Sequence, residues 1–150
     1  MRGYFEIGIY HHKTPMNLGT LWRSASQLGA TGIFTIGSRY PKQASDTLKT
    51  WRHVPLREHA TWDLFLLSRP YDAPLVAVEM GGTPLAQFKH PERAVYLLGA
   101  EDHGLPKEIL AKCQHVVSLE SVRTESYNVA VAGSLVMWHR CFGSASNMGA

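Results

Sequence analysis

Cysteine is scarce. The 150-residue chain carries two, Cys113 and Cys141, with neither a Cys-x-x-Cys pair nor a histidine spacing that would suit a zinc ion. A domain of this length needs no disulfide to close its core, so both are read as reduced thiols. The eight histidines, His11, His12, His53, His59, His90, His103, His115 and His139, match no metal motif and are read as surface or packing residues. Long apolar runs are missing as well. The longest, Val129 to Trp138, covers ten positions and contains Gly133 and Ser134, whereas a bilayer span needs roughly twenty. The opening MRGYFEIGIYHHK places Glu6 and a period-two pattern where a secretory leader would have a continuous apolar stretch. No membrane span and a cytoplasmic location are the expectations. Net charge is a modest +3, too little to mark a nucleic-acid protein by itself. Its distribution is uneven, with nine basic against five acidic residues over 1–77 and six against seven over 78–150. Lys13, Arg23, Arg39, Lys42 and Arg57 belong to that basic first half, which could face phosphates or simply solvent.

What is present is a folding composition: 45% hydrophobic and 18% charged residues exclude a disordered chain, a collagen repeat or a heptad rod. The length suits one domain over residues 1–150, with the SASNMGA tail from Ser144 to Ala150 expected to be mobile. Phe5 to His11 alternates as a strand does, and Asn17 to Gly29 then switches to helical spacing, with Leu18, Leu21, Trp22, Ala25 and Leu28 as its apolar stripe. Asn17 suits the N-cap and Gly29 the stop. Further strands are expected at Gly32–Ile36, Leu75–Met80, Val95–Leu98 and Val116–Leu119. Helices are expected at Trp62–Leu67, Pro106–Lys112 and Asn128–Phe142. The polar, basic stretch Gly37 to Arg57 reads as mixed loop and short helix. Strands alternating with helices imply an α/β fold with a mostly parallel sheet, whose ligand sites lie at the carboxyl ends of the strands.

The final helix is apolar nearly all round, through Val129, Val131, Leu135, Val136, Met137 and Trp138. Such a helix is buried on more than one side. In a small domain the outer side calls for a second subunit, with Gly133 allowing close approach of the partner's backbone, so a homodimer is the economical reading.

Three segments could carry chemistry. GAEDHGLPKE, Gly99 to Glu108, has the glycine spacing of a phosphate loop, but Leu105 and Pro106 stand where that loop needs Lys and then Ser or Thr. Glu101 and Asp102 would repel a phosphate, so nucleoside triphosphate binding is excluded. The glycines permit close ligand approach, and the acidic pair suits a partly cationic small molecule such as a sulfonium. In the first helix, Asn17 and Arg23 are polar on an otherwise apolar or small-residue element; six residues span roughly 9 Å of rise, so a joint role needs a substrate that bridges them. The third segment, RTESYNVAVAG from Arg123 to Gly133, leads three polar residues abruptly into the apolar helix. Ser126 or Asn128 as a cap explains one of them, but not both.

Taken in order, these segments resemble the three motifs of the TrmH-like (SpoU) ribose methyltransferases of the SPOUT superfamily. NLGTLWRSASQLGA, from Asn17 to Ala30, is similar to the first motif; YLLGAEDHGL, from Tyr96 to Leu105, to the second; ESYNVAVA, from Glu125 to Ala132, to the third. Tyr127 stands where the family usually has leucine, and Ser118-Leu119 where a proline often follows the strand. The resemblance covers essentially the full length. It implies an α/β fold whose C-terminal part passes through a deep trefoil knot, S-adenosylmethionine bound there, an active site near a dimer interface, and transfer or ribosomal RNA as substrate. Carried over by position, Asn17, Arg23, Glu101, Ser126 and Asn128 match the catalytic polar set. Leu98, Gly99, Glu101, Gly104, Leu119, Tyr127 and Asn128 match the cofactor-binding set.

The implied reaction is in-line attack of a ribose 2′-hydroxyl on the cofactor's methyl group, which requires the hydroxyl to be aligned, deprotonated and kept from water. Guanidinium is not deprotonated in proteins, so Arg23 is assigned to orienting the hydroxyl and the adjacent phosphate, and the base stays open. Asn17 would position Arg23 or the RNA backbone, Glu101 would orient the site, and Ser126 and Asn128 would bond the ribose region. The alternative from another class is an RNA-binding or assembly protein of this fold without transfer activity, against which stand all five filled polar positions. Methylation of a base is disfavoured by the Asn17 and Arg23 pair.

Overall fold

A computed structural model of the chain describes residues 3–38, 53–100, 103–123 and 126–143. Six strands, β1 (Tyr4–Tyr10), β2 (Gly32–Ile36), β3 (Leu56–His59), β4 (Leu75–Pro84), β5 (Arg93–Leu98) and β6 (His115–Ser118), make one sheet in the order β3-β2-β1-β5-β4-β6. Every neighbouring pair is parallel. Among the described residues four α-helices, α1 (Pro15–Leu28), α2 (Trp62–Ser68), α3 (Lys107–Lys112) and α4 (Val129–Phe142), cover its two faces.

A parallel sheet covered on both faces reads as continuous apolar runs. In β5, Ala94, Tyr96 and Leu98 join Leu18, Leu21 and Trp22 of α1 and Val129, Val136 and Met137 of α4 in one core. Val95 and Leu97 point the other way, into a core with Phe34, Phe65 of α2 and Ile109 of α3. All five residues of β2 are buried. Helix α2 starts where Thr61 accepts from the Leu64 amide at 3.2 Å, a side-chain cap for one of the first-turn amides.

The strand β3 begins at Leu56, in the last two residues of the stretch 37–57 expected to be loop and short helix, and runs on to His59; residues 39–52 of that stretch lie outside the described residues. Its sequence, Leu-Arg-Glu-His, has one apolar residue and half-exposed sides, so nothing in its own pattern marks it. It is a strand because β2 offers it a ladder from Ile33↔Leu56 to Ile36↔His59. Its charges suit an edge position, where they discourage pairing with another chain.

Two expectations about helices are corrected. The N-cap of α1 is Thr14, not Asn17; Pro15 opens the helix, whose fixed backbone suits that place, and Asn17 falls inside the first turn. Gly133 does not make room for a partner. It is buried against its own domain, where a Cβ would come within 2.4 Å of Leu21 and 2.9 Å of Leu98, so it lets α4 settle onto α1 and β5. A hydrogen bond of 2.7 Å between Ser134 and Ser24 fastens the same crossing. Val136 is likewise wholly enclosed, while Val131, Leu135, Trp138 and Phe142 form the exposed outer stripe of α4.

The inner end of α4 is polar. Arg140, buried, donates to the carbonyls of Pro91 at 2.6 Å and Glu92 at 2.5 Å and lies 5.0 Å from the centre of the Phe5 ring. Beside it, His90 shares hydrogen bonds with the Tyr96 hydroxyl at 2.7 Å and with His139 at 2.8 Å. Burial, then the neighbouring charges of His139 and Arg140, pull His90 down to about 3, and burial lowers His139 as well. Both histidines are therefore neutral packing groups at physiological pH.

Candidate active site

Because all six strands run the same way, their carboxyl ends share one edge, and the three candidate segments leave the sheet or enter a helix there. The segment after β5 folds back on itself: the Gly104 amide donates to the Ala100 carbonyl at 3.0 Å. Both glycines are required by this turn. A Cβ on Gly99 would come within 2.5 Å of the Gly104 carbonyl carbon, and Gly104 holds φ +64, left-handed backbone that side chains rarely adopt. Gly99 and Gly104 are thus brought into contact, while Glu101 lies outside the described residues. Leu98 ends β5 with its side chain in the core, 2% exposed; what it can offer a ligand is backbone.

The third segment meets the first. Asn128 is the N-cap of α4, its side-chain oxygen accepting from the amides of Ala130 at 2.9 Å and Val131 at 3.2 Å. Its amide nitrogen donates to the side-chain oxygen of Asn17 at 3.0 Å. One asparagine therefore closes a helix terminus and ties it to another helix, which a capping serine could not do with so short a side chain. Capping falls to Asn128, leaving Ser126 exposed and free for another role. The side chain of Arg23 is exposed on α1; among the described residues no hydrogen bond joins Arg23 or Ser126 to the asparagine pair.

Tyr127 also has a definite partner: its hydroxyl donates to the Glu120 carbonyl at 2.7 Å, bridging the segment between β6 and α4. The leucine usual at this position could not make that bond. Leu119 is half-buried against the α1 and α4 core. Two carboxylates at this edge were not among the sequence candidates. Glu79 accepts from the Leu105 amide at 2.9 Å, and Glu120 accepts from the amides of Leu85 and Ala86, both at 3.1 Å. Glu79 had a signal available, since it interrupts the apolar run Leu75 to Met80 at the strand's carboxyl end; Glu120 had none.

A half-buried pair of facing glycines and the exposed polar side chains of Ser126, Tyr127 and Asn128 are a set suited to a small polar ligand and a hydroxyl-bearing partner, while both carboxylates spend their oxygens on backbone amides. Among the described residues no cluster of His, Cys, Asp or Glu could hold a metal ion, and no helix is long and apolar enough to cross a membrane.

Known proteins resemble this chain in sequence and in fold. The mouse tRNA (guanosine(18)-2'-O)-methyltransferase TARBP1 is 27% identical over 134 residues; the match spans 83% of this chain but 8% of that protein's length. A solved structure described as giving insights into the 2-OH methylation of C/U34 on tRNA is 26% identical, with a TM-score of 0.80 over 95% of this chain and 99% of that one. The SpoU methyltransferase AviRb from Streptomyces viridochromogenes, solved in complex with the cofactor AdoMet, has the same fold at 19% identity, with a TM-score of 0.80 over 97% of this chain and 62% of that one. Residues 5–138 match the profile of the SpoU rRNA Methylase family, a span that runs from β1 into α4 and takes in all three motif segments. The chain belongs to the SpoU rRNA methylase family.

Proposed function

We propose that this chain, as one domain, is an S-adenosylmethionine-dependent methyltransferase acting on a ribose 2′-hydroxyl of a structured transfer or ribosomal RNA, and that it works as a homodimer in the cytoplasm. The observation that carries the reading is the 3.0 Å bond from Asn128 to Asn17. It joins two motif residues 111 positions apart at the strand edge where the Gly99–Gly104 turn also lies. TARBP1 is named for 2'-O methylation of guanosine in tRNA and the 26% identical structure is described by 2-OH methylation of C/U34 on tRNA, which supports ribose over base as the acceptor.

S-adenosylmethionine, when bound, supplies an electrophilic methyl group on a sulfonium centre. Gly99, Gly104, Leu119 and Tyr127 would hold it, largely through backbone, with Leu98 contributing main-chain groups alone. The remaining work falls to side chains. Arg23 orients the attacking hydroxyl and the neighbouring phosphate by its planar, two-pronged donor geometry. Asn17 and Asn128, already bonded to each other, present a fixed polar edge to the ribose, and Ser126 adds a free hydroxyl. Fixed groups of this kind raise the rate by holding the reactants in line, without reorganising during the reaction.

Dimerisation is supported by the outer stripe of α4. Leu135 is 39% and Trp138 54% exposed, and with Val131 they line a groove against Thr20, Gln27 and Leu28 of α1. A second copy of the chain covers this face in the proposed enzyme. The trefoil knot implied by the family fits a chain that leaves the sheet at its outer strand, β6, and returns to pack α4 on α1 over the centre.

Nucleoside analysis of RNA from cells lacking the protein tests the proposal, together with calorimetry of the purified chain. A missing 2′-O-methylated nucleoside, restored by the wild-type gene, is the expected result. A folded protein that binds RNA but neither S-adenosylmethionine nor its demethylated product, with every ribose methylation intact in the cells, would point instead to an RNA-binding or assembly role.

A further inference from the structure

We infer that Glu79 and Glu120, which lie outside the three motifs, are positioning residues that fasten both walls of the cofactor cleft to one anchor, the carboxyl end of β4. The inference rests on the cofactor reading above.

The anchor has an unusual shape. Val78 and Thr83 of β4 both stand opposite Val117 of β6, so Glu79 to Gly82 is an extra length of chain pushed out of the ladder at the edge where the site lies. Backbone demands hold it there: Gly81 has φ +85, and a Cβ on Gly82 would come within 2.4 Å of the Val116 carbonyl oxygen. A bulge of this kind re-aims a side chain, and the one it re-aims is Glu79. One carboxylate oxygen accepts from the Met80 amide at 3.1 Å, which fixes the group's orientation, and the other accepts from Leu105 at 2.9 Å. That second oxygen sits 2.4 Å from where a Gly104 Cβ would be. The second glycine of the motif is therefore required partly because Glu79 occupies the space a side chain would need.

Glu120 does the equivalent for the other wall. Its two oxygens take the amides of Leu85 and Ala86, immediately beyond β4, while its own carbonyl receives the Tyr127 hydroxyl. Gly104 and Leu105 on one side and Glu120 and Tyr127 on the other are thus referenced to residues 79–86, and the spacing between the two sides follows from that stretch. A charged acceptor on a backbone amide is stronger than a neutral one, which suits loops that must keep their spacing while a ligand enters and leaves. Neither carboxylate is assigned a contact with the reacting atoms.

The test compares Glu79→Ala, Glu79→Gln and Glu120→Ala with the wild type, by amide hydrogen exchange of the free protein and by calorimetry with S-adenosylmethionine. In Glu79→Ala the Leu105 amide should lose protection about tenfold and cofactor affinity should fall about tenfold, the size expected for one charge-assisted bond. The single-turnover rate at saturating cofactor should stay within about twofold, since the chemistry is untouched. Glu79→Gln keeps one neutral side-chain acceptor for the Leu105 amide and should restore about threefold of each loss. Glu120→Ala should expose the Leu85 and Ala86 amides and weaken cofactor binding in the same way. Unchanged exchange at Leu105 in Glu79→Ala overturns the positioning role, whatever the wild type binds. A Glu79→Gln protein as weak as Glu79→Ala overturns it too, because the charge itself would then be acting on the ligand. If the wild type binds no cofactor while the exchange changes appear as stated, the cofactor reading fails and the fastening of the two walls stands.

Discussion

Acid should loosen this fold through the pair formed by His139 of α4 and His90 packed against it. His90 is 6% exposed and spends both ring nitrogens on hydrogen bonds, to Tyr96 at 2.7 Å and His139 at 2.8 Å. In the unfolded chain it titrates near 6.5; in the fold, burial first and then the charges of His139 and Arg140 take it down to about 3. The unfolded state therefore binds a proton that the folded state refuses. Stability is full above about pH 6.5 and declines as pH falls from there toward about 3, by at most ~1.4 kcal/mol per pH unit for one group. Between about pH 6.5 and about pH 5 that limit is ~2 kcal/mol, and water screening at the edge of the pair brings the expected loss to about 1–2 kcal/mol. His139, also lowered by burial, adds to the slope. Urea unfolding at a series of pH values measures it: the wild-type free energy should drop over this window, and His90→Gln, which keeps hydrogen-bonding capacity without a proton site there, should lower stability at neutral pH yet flatten the dependence by one proton. A wild-type curve level from about pH 7 to about pH 5, or a His90→Gln curve parallel to it, would falsify the assignment of His90 as a buried neutral base.

Arg23→Ala should lower single-turnover methyl transfer on the order of a hundredfold or more with cofactor affinity unchanged, and Arg23→Lys should recover little because an ammonium lacks the planar fork; an unchanged rate removes Arg23 from the mechanism. Asn128→Ala should cost about 1 kcal/mol of stability through the lost α4 cap. A double-mutant cycle with Asn17→Ala should show coupling of about 0.5 kcal/mol or more, and additive losses would mean that the bond between them contributes nothing. Trp138→Glu on the exposed stripe should yield a folded monomer in sedimentation, whereas Val136→Glu, placed wholly in the core, should lose several kcal/mol of stability; a Trp138→Glu dimer as tight as wild type refutes the α4 interface.

The α/β class, five of the six described strands of the sheet and the order of the three motif segments are legible in the residues, because each depends on local periodicity or on types adjacent in the chain. Val95 to Leu98 reads as buried whatever surrounds it, and the polar residues before the last helix read as a cap at Ser126 or Asn128, between which only the structure decides. Other features depend on what distant parts of the chain supply. Four residues with one apolar side chain became β3 because β2 presented a free edge. Asn17, a natural cap in isolation, was passed over because Pro15 opened the helix earlier, and its side chain was left to meet Asn128 from 111 positions away. In the sequence Gly133 reads as room for a partner; in the fold Leu21 and Leu98 fill that room. Glu79 and Glu120 carry no motif at all. Their roles exist only where a bulge in β4 and the returning chain bring a carboxylate within reach of an amide, a coincidence in space that no spacing along the sequence encodes.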